Sequence, residues 1–268
     1  MPRRTRLDAE LVRRGLARSR EHASQLIAAG RVTVRGTVAG KPATAVETDA
    51  AVVVREIDND PDWASRGAHK LVGALAAFDV AVSGRRCLDA GASTGGFTDV
   101  LLRGGATQVV AADVGRGLLV WRLQTDDRVV VLDKTNVRAL TPEQTGGPVD
   151  LVVADLSFIS LRLVLPALLA CATEDADLLP MVKPQFEVGK DRLGSGGVVR
   201  EPELRAEAVR TVLAAASELG LRAHGVVASP LPGPSGNVEY FAWLRRGEPL
   251  EDARAAELVE TAVREGPQ

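Results

Sequence analysis

Four charged residues sit at or beside stretches otherwise apolar enough to be buried. They are Lys70 in His69-Lys70-Leu71, Asp155 after Leu151-Val152-Val153-Ala154, Lys183 after Met181-Val182, and Glu239 in Val238-Glu239-Tyr240-Phe241. Two lysines and two carboxylates sum to zero charge, so the four can share a partly dry site without a large uncompensated desolvation cost. Such a set can move a proton. An ammonium gives up its charge more readily when it is buried among positive neighbours, and a lysine so placed can take the proton of a hydroxyl, which is a poor nucleophile while neutral. Lys183 is the candidate for that role, with Lys70 positioning the target or tuning Lys183, and with Asp155 and Glu239 holding both ammonium groups. Taken singly, each also fits a plainer job as a helix cap, a solvated lysine or a polar residue on a strand face.

A second cluster offers a binding loop. In Leu88-Asp89-Ala90-Gly91-Ala92-Ser93-Thr94-Gly95-Gly96-Phe97 an apolar strand runs through glycines into a helix. Glycines there let the chain turn tightly and let a bound nucleoside approach the backbone. The spacing is not the Gly-x-Gly-x-x-Gly of dinucleotide binders. An acid with a glycine two residues on, then more glycines, resembles motif one of class I methyltransferases, whose loop contacts the methionine half of S-adenosylmethionine. Asp113 closes the next strand 22 residues after Gly91, where Rossmann-like folds place the acid that binds the ribose hydroxyls. Asn136, just past the third strand, is a candidate to face the adenine. The candidate cofactor contacts are therefore Asp89, Gly91, Ala92, Ser93, Thr94, Gly95, Gly96, Phe97, Asp113 and Asn136. On the plainer alternative the glycines only form a tight turn and Asp113 caps a helix; the register of Asp113 with the loop favours the first. Methyl transfer to a ribose hydroxyl needs the sulfonium methyl in line with the oxygen and an acceptor for the proton, and the four charged residues supply the acceptor.

The elements that must position these groups alternate. Strands are predicted at Arg86 to Ala90, Gln108 to Asp113, Val129 to Leu132, Leu151 to Asp155, Leu178 to Val182, Leu221 to Ala228 and Val238 to Leu244, preceded by a helix from Ser65 to Phe78. Strand-helix alternation predicts a mostly parallel sheet covered on both faces, with the carboxyl ends of its strands lining the ligand crevice. The last two strands, joined by the short loop Ser229 to Asn237, are expected to pair antiparallel at one edge. Ahead of this domain, apolar residues at helical spacing from Leu11 to Ile27 predict two short helices broken at Gly15, the second capped by Ser19 and stopped by Gly30. Arg31 to Gly36 and Val52 to Val54 read as strands. The polar stretch Asp58-Asn59-Asp60-Pro61-Asp62 suits neither helix nor strand and marks the boundary: a small α+β domain at 1–58, a linker at 59–64, and an α/β domain at 65–268.

The totals agree with two soluble domains. The 268 residues are 46% apolar and 25% charged, enough to bury a core. Two cysteines, Cys87 and Cys171, each in an apolar stretch, make neither a disulfide framework nor a metal site, and a reducing compartment follows. No secretory leader pattern follows the basic start, and no stretch approaches the roughly 18 to 20 apolar residues of a membrane span; a cytoplasmic protein, with no metal and no membrane partner, is expected. The net charge of −2 conceals a polarised chain. Residues 1 to 46 hold ten Arg or Lys against three acids, a basic module of the kind that binds nucleic acid phosphates. Arg4, Arg6, Arg14, Arg18 and Arg20 are the candidate RNA contacts.

Lys70, Asp155, Lys183 and Glu239 match, in order and strand placement, the Lys-Asp-Lys-Glu tetrad of FtsJ-type ribose 2′-O-methyltransferases. More closely, the whole chain resembles the TlyA family of ribosomal RNA cytidine 2′-O-methyltransferases. The matching stretches include Arg6-Leu7-Asp8 through Val32-Thr33-Val34, Ser65 to Leu71, Asp89 to Phe97, Ala154 to Ser160, Val182-Lys183-Pro184-Gln185-Phe186-Glu187 and Pro232 to Glu239. The resemblance implies a Rossmann-like class I methyltransferase domain with a seven-stranded sheet, preceded by an S4-like RNA-binding domain. It also implies S-adenosylmethionine as cofactor and cytidine ribose in small- and large-subunit ribosomal RNA as substrate. Ribosomal subunits are then the partners of a monomeric enzyme, and sensitivity to capreomycin-type antibiotics is the associated trait. Family members often carry Arg-x-Trp-Val between the domains; this chain has Pro61-Asp62-Trp63-Ala64 and keeps only the tryptophan. Two rival readings are a membrane-active haemolysin-like protein, since some relatives bear that name, and a non-catalytic RNA-binding assembly factor. The intact glycines, Asp113 and tetrad speak against the second.

Overall fold

The structure, a computed structural model, describes residues 4–17, 19–28, 30–54, 62–233, 235–248 and 250–267. It divides into two compact units, residues 1–62 and 63–268. Residues 59–61 of the expected linker, and Arg18, lie outside the described residues.

In the first unit the helices α1 (Leu7–Arg13) and α2 (Arg20–Ala28) bury Leu7, Leu11, Ala23, Leu26 and Ile27 against Val32 and Val46. Ser19 caps α2 by accepting the His22 amide at 3.1 Å. Gly30, at φ +67°, ends it, with the Arg31 amide returning to the Leu26 carbonyl, a left-handed stop that glycine adopts without strain. Strand β2 (Val32–Val34) turns through Arg35 and Gly36, both at positive φ, into β3 (Thr37–Val38), and pairs on its other side with β5 (Val52–Val54). The sequence reading misses a second small sheet, β1 (Arg4–Arg6) antiparallel to β4 (Ala45–Glu47), because these short segments are mostly polar and lack the β-branched run that marks Val52-Val53-Val54.

The second unit runs α3 (Ala68–Phe78), β6 (Arg86–Ala90), α4 (Gly96–Arg103), β7 (Gln108–Ala112), α5 (Trp121–Gln124), β8 (Val129–Leu132), α6 (Pro142–Thr145), β9 (Val149–Ala154), α7 (Leu165–Ala170), β10 (Ala172–Val182), α8 (Pro184–Glu187), α9 (Pro202–Glu218), β11 (Leu221–Ala228), β12 (Tyr240–Arg246) and α10 (Asp252–Glu265), with single 3-10 turns between some of them. The seven strands are ordered β11-β12-β10-β9-β6-β7-β8, and β12 pairs antiparallel with both neighbours while the remaining pairs are parallel.

Adjacent strand residues alternate between two cores. Cys87, Val109, Leu151 and Val153 face α3 and α4, while Leu88, Val110, Val152 and Leu178 face α7, α9 and α10. Burial on both faces explains the uninterrupted aliphatic runs, and each fully buried Leu contributes roughly 1.5–3 kcal/mol. The chain moves outward through β7 and β8, then returns to place β9 on the other side of β6. That reversal opens a crevice at the carboxyl ends of β6 and β9.

Several boundaries differ from expectation. Asp113 and Asp155 lie one residue beyond their strands, Glu239 lies one residue before β12, and α3 starts at Ala68 and not Ser65. Strand β10 begins at Ala172, with a register shift before Asp177; the polar run Thr173-Glu174-Asp175 masks this extension in the sequence.

Candidate active site

At the end of β6 the backbone turns through Gly91 at φ +88°, and Gly95, at φ +98°, starts α4. A Cβ at Gly91 would stand 2.5 Å from the Asp155 carbonyl oxygen, so the turn closes on β9 only because no side chain is present. Asp113 holds the tip of this loop. Its Oδ2 accepts the Ser93 amide at 2.9 Å and its Oδ1 accepts the Gly115 amide at 2.7 Å. A carboxylate has about four lone-pair sites, so two remain for a ligand's hydroxyls. Asn136 accepts the Arg138 amide at 3.1 Å through Oδ1 and faces the same cleft. The cleft holds about 420 Å³, with Gly91, Ser93, Asp113, Asn136 and Asp155 as polar wall and Val114, Leu118, Val137, Leu156, Phe158 and Ile159 as apolar wall.

The other loop residues expected to touch a cofactor do not line this cleft. Phe97 is buried, 6.0 Å from the Phe241 ring. Thr94 accepts the Val120 amide through its carbonyl, Ala92 and Gly95 are buried, and Gly96 packs against Ser65 and Ala68. Asp89 is fully buried, with Oδ2 accepting the Thr98 hydroxyl at 2.7 Å and Oδ1 unpartnered. Burial pushes its carboxyl up to about 7, and the nearby Asp155 and Asp113 charges push the same way. Asp113 and Asp155 thus bring carboxylates to the crevice wall at the ends of β7 and β9, while Asp89 stays behind it.

Beside the cleft, the four tetrad residues form two ion pairs. Lys183 Nζ lies 2.6 Å from Asp155 Oδ1 and donates to Ser157 Oγ at 3.0 Å. Lys70 Nζ donates to Glu239 Oε2 at 2.6 Å, with side chains only 8% and 1% exposed. Gln185, two residues after Lys183, donates to Glu239 Oε1 at 3.4 Å. Gly233 leaves room for that carboxylate, since a Cβ there would stand 2.6 Å from Glu239 Oε1.

Sequence reasoning singled out neither Ser157, Gln185 nor Phe158. Phe158 is 91% exposed at φ +63°, its ring 5.2 Å from that of Phe186. The signal was the run Leu156-Ser157-Phe158-Ile159-Ser160 directly after Asp155, but exposure of one aromatic in an apolar run is not visible in a sequence. Of the candidate RNA contacts, Arg4, Arg6 and Arg20 have half or more of their side chains exposed, while Arg14 is only 21% exposed. Among the described residues no cluster suited to a metal ion occurs, and no helix is long and apolar enough to cross a membrane.

Residues 63–246 match the FtsJ-like methyltransferase family, and residues 5–52 match the S4 domain. The chain is 63% identical, over the full length of both proteins, to the 16S/23S rRNA (cytidine-2′-O)-methyltransferase TlyA of Mycobacterium tuberculosis. It is 35% identical to Hemolysin A of Brachyspira hyodysenteriae, over 88% of this chain and 98% of that protein. A solved structure from Streptococcus thermophilus whose name places it with the hemolysins is 37% identical, covers 99% of this chain and 97% of its own, and superposes with a TM-score of 0.76.

Proposed function

Because this chain belongs to the FtsJ-like methyltransferases, and within them to the TlyA family, we propose that it methylates the ribose 2′-hydroxyl of cytidine in ribosomal RNA of the small and large subunits, with S-adenosylmethionine as donor. The observation that carries the chemistry is the pair of lysine-carboxylate contacts, Lys183–Asp155 and Lys70–Glu239, the first of them at the wall of a cleft that Asp113 also lines.

The cleft suits the cofactor. Asp113 keeps lone pairs for ribose hydroxyls, the amide nitrogen of Asn136 can donate to a base, and Gly91 lines the cleft between them. The Asp113 carboxylate, with Asp155 beside it on the cleft wall, favours a ligand carrying positive charge. When bound, that cofactor supplies an electrophilic methyl group. Lys183 then takes the proton of the attacking hydroxyl as the neutral amine, its own proton having left first, or steers it as the ammonium; Asp155 and Ser157 fix where its nitrogen points, and the Lys70–Glu239 pair positions the target ribose. The basic N-terminal unit holds RNA through phosphate contacts from Arg4, Arg6 and Arg20, which positions the substrate without reading its sequence. Ribosomal subunits as substrates place the enzyme in the cytoplasm.

The test is incubation with radiolabelled S-adenosylmethionine and purified small or large subunits, followed by mapping of ribose methylation. A parallel vesicle-leakage assay covers the activity suggested by the hemolysin names. Label on ribosomal RNA cytidine, with intact vesicles, is the expected result. Leakage without RNA label would overturn the proposal.

A further inference from the structure

Glu187 stands at the end of the one-turn helix α8, whose N-cap is Lys183, and its side chain is only 1% exposed. A buried carboxylate costs free energy that a four-residue helix does not return, so the cost must be offset by what the group binds. Its partners all come from the other side of the site. Oε2 accepts the Ser160 hydroxyl at 2.6 Å, Oε1 accepts the Leu161 amide at 2.8 Å, and the Arg162 guanidinium lies 3.9 Å from Oε2. Ser160 Oγ in turn accepts from the Arg162 amide and its Nε, both at 3.3 Å, which leaves the serine proton for Glu187. Burial pushes the Glu187 carboxyl up, and the bonds from Ser160 and Leu161 pull it back.

Residues 155–160 form the loop that carries Asp155, Ser157 and Phe158. Its near end is held by Lys183, which contacts both Asp155 and Ser157. Its far end is held by Glu187, four residues after Lys183. We infer that Glu187 is a positioning residue for methyl transfer: it latches the far end of the 155–160 loop to the segment bearing Lys183, fixing Ser157 and Asp155 relative to that lysine. This rests on the proposed function for its catalytic consequence, but the latch is a property of the fold. Leu156, Ser157, Phe158 and Ile159 line the cleft, whereas Glu187 does not, so it acts on the site only through the loop.

The test has two arms. Amide hydrogen exchange on the full chain reports the latch without any turnover. Glu187→Ala and Ser160→Ala should each speed exchange in residues 157–162, and the double variant should exchange no faster than Glu187→Ala alone. Unchanged protection in both single variants would overturn the latch whether or not the enzyme methylates RNA. In single-turnover transfer with saturating subunit and cofactor, Glu187→Ala should lose about tenfold or more in rate, as expected when reacting groups shift by a fraction of an ångström, with subunit affinity unchanged. Glu187→Gln, which keeps the Leu161 bond and the side-chain volume, should recover part of the rate and covers the case in which the alanine variant misfolds. The pH dependence of the rate should move as well, since Ser157 would no longer be held against Lys183. A wild-type rate and pH profile in folded Glu187→Ala and Glu187→Gln would overturn the catalytic consequence, while absence of transfer by the wild type would count against the proposed function and leave the exchange result standing.

Discussion

Asp155 and Lys183 follow neighbouring parallel strands, β9 and β10, and meet as an ion pair at 2.6 Å. The sheet thus delivers two residues 28 positions apart to one point, and Ser157 gives the ammonium its second partner at 3.0 Å. Arginine in place of Lys183 would keep the positive charge but not release a proton, because its pKa stays above about 12. If Lys183 accepts the hydroxyl proton, Lys183→Ala and Lys183→Arg should both lose roughly 100-fold or more in single-turnover methyl transfer, in line with general-base contributions. Both should still bind cofactor and subunits. A Lys183→Arg enzyme that keeps most of the rate would reduce the lysine to a fixed charge, and an active Lys183→Ala would remove it from the mechanism.

The Lys70–Glu239 pair is the more deeply buried of the two, and its stability should behave accordingly. Removing one partner leaves an uncompensated charge and typically costs about 3–5 kcal/mol, whereas replacing both by neutral groups can be near neutral. Lys70→Met alone should therefore lower the urea midpoint markedly, and Lys70→Met with Glu239→Gln should recover most of the loss while remaining inactive. Equal midpoints for the single and double variants would mean that Glu239 is compensated by something other than Lys70.

How much of this was legible in the sequence depends on the kind of interaction. Asp113, Asp155 and Lys183 could be assigned to one edge because strand ends converge there in a parallel sheet, so a charge closing an apolar run has a determined place; Lys70 on α3 and Glu239 ahead of β12 were reached only through the order of the four residues. The antiparallel pairing of β11 and β12 follows from their short connection in the same way, although the insertion of β12 between β10 and β11 does not. Ser157, Gln185 and Glu187 were hidden because their roles arise from loop-to-helix hydrogen bonds that follow no period. Within the loop from Asp89 to Phe97, Gly91 and Ser93 line the cleft, while Phe97 and Gly96 pack against neighbouring elements. Sequence spacing locates a turn without telling which side of it faces a ligand.

Asp89 makes stability depend on pH. Its folded carboxyl is pushed up to about 7 from 3.8, chiefly by burial, so between those values the folded state binds more protons than the unfolded one. Stability from this group is then present at low pH and is lost as pH rises toward 7, levelling off above it. Asp89→Asn still accepts the Thr98 hydroxyl but cannot ionise. Its melting temperature, minus that of the wild type, should become more positive from pH 5 to pH 8. A difference that stays flat across that range would show Asp89 to be ionised already at pH 5.

The N-terminal arginines should divide into two classes, and the division turns on where their donors point. Arg6 and Arg20 both bond Asp8, Arg6 through two nitrogens at 3.1 and 2.9 Å and Arg20 through one at 3.0 Å, yet each keeps more than half of its side chain exposed. The buried Asp8 carboxylate, held well below its usual range first by Arg6, thus fixes two guanidinium groups side by side while leaving donors for RNA. Arg14 is spent inward: Nε on Glu10 at 2.7 Å, Nη1 on the Ala50 carbonyl at 2.7 Å and Nη2 on the Thr48 carbonyl at 3.0 Å. Each true phosphate contact contributes about 0.9 to the slope of log affinity against log salt. In titrations of the full chain with ribosomal subunits, Arg6→Ala and Arg20→Ala should each lower that slope by about one. Arg14→Ala should leave the slope unchanged and instead speed amide exchange around residues 48–52, where its two carbonyl anchors lie. A slope reduced equally by Arg14→Ala, with exchange unaltered, would assign Arg14 to the RNA surface and show that its inward bonds give way when RNA binds.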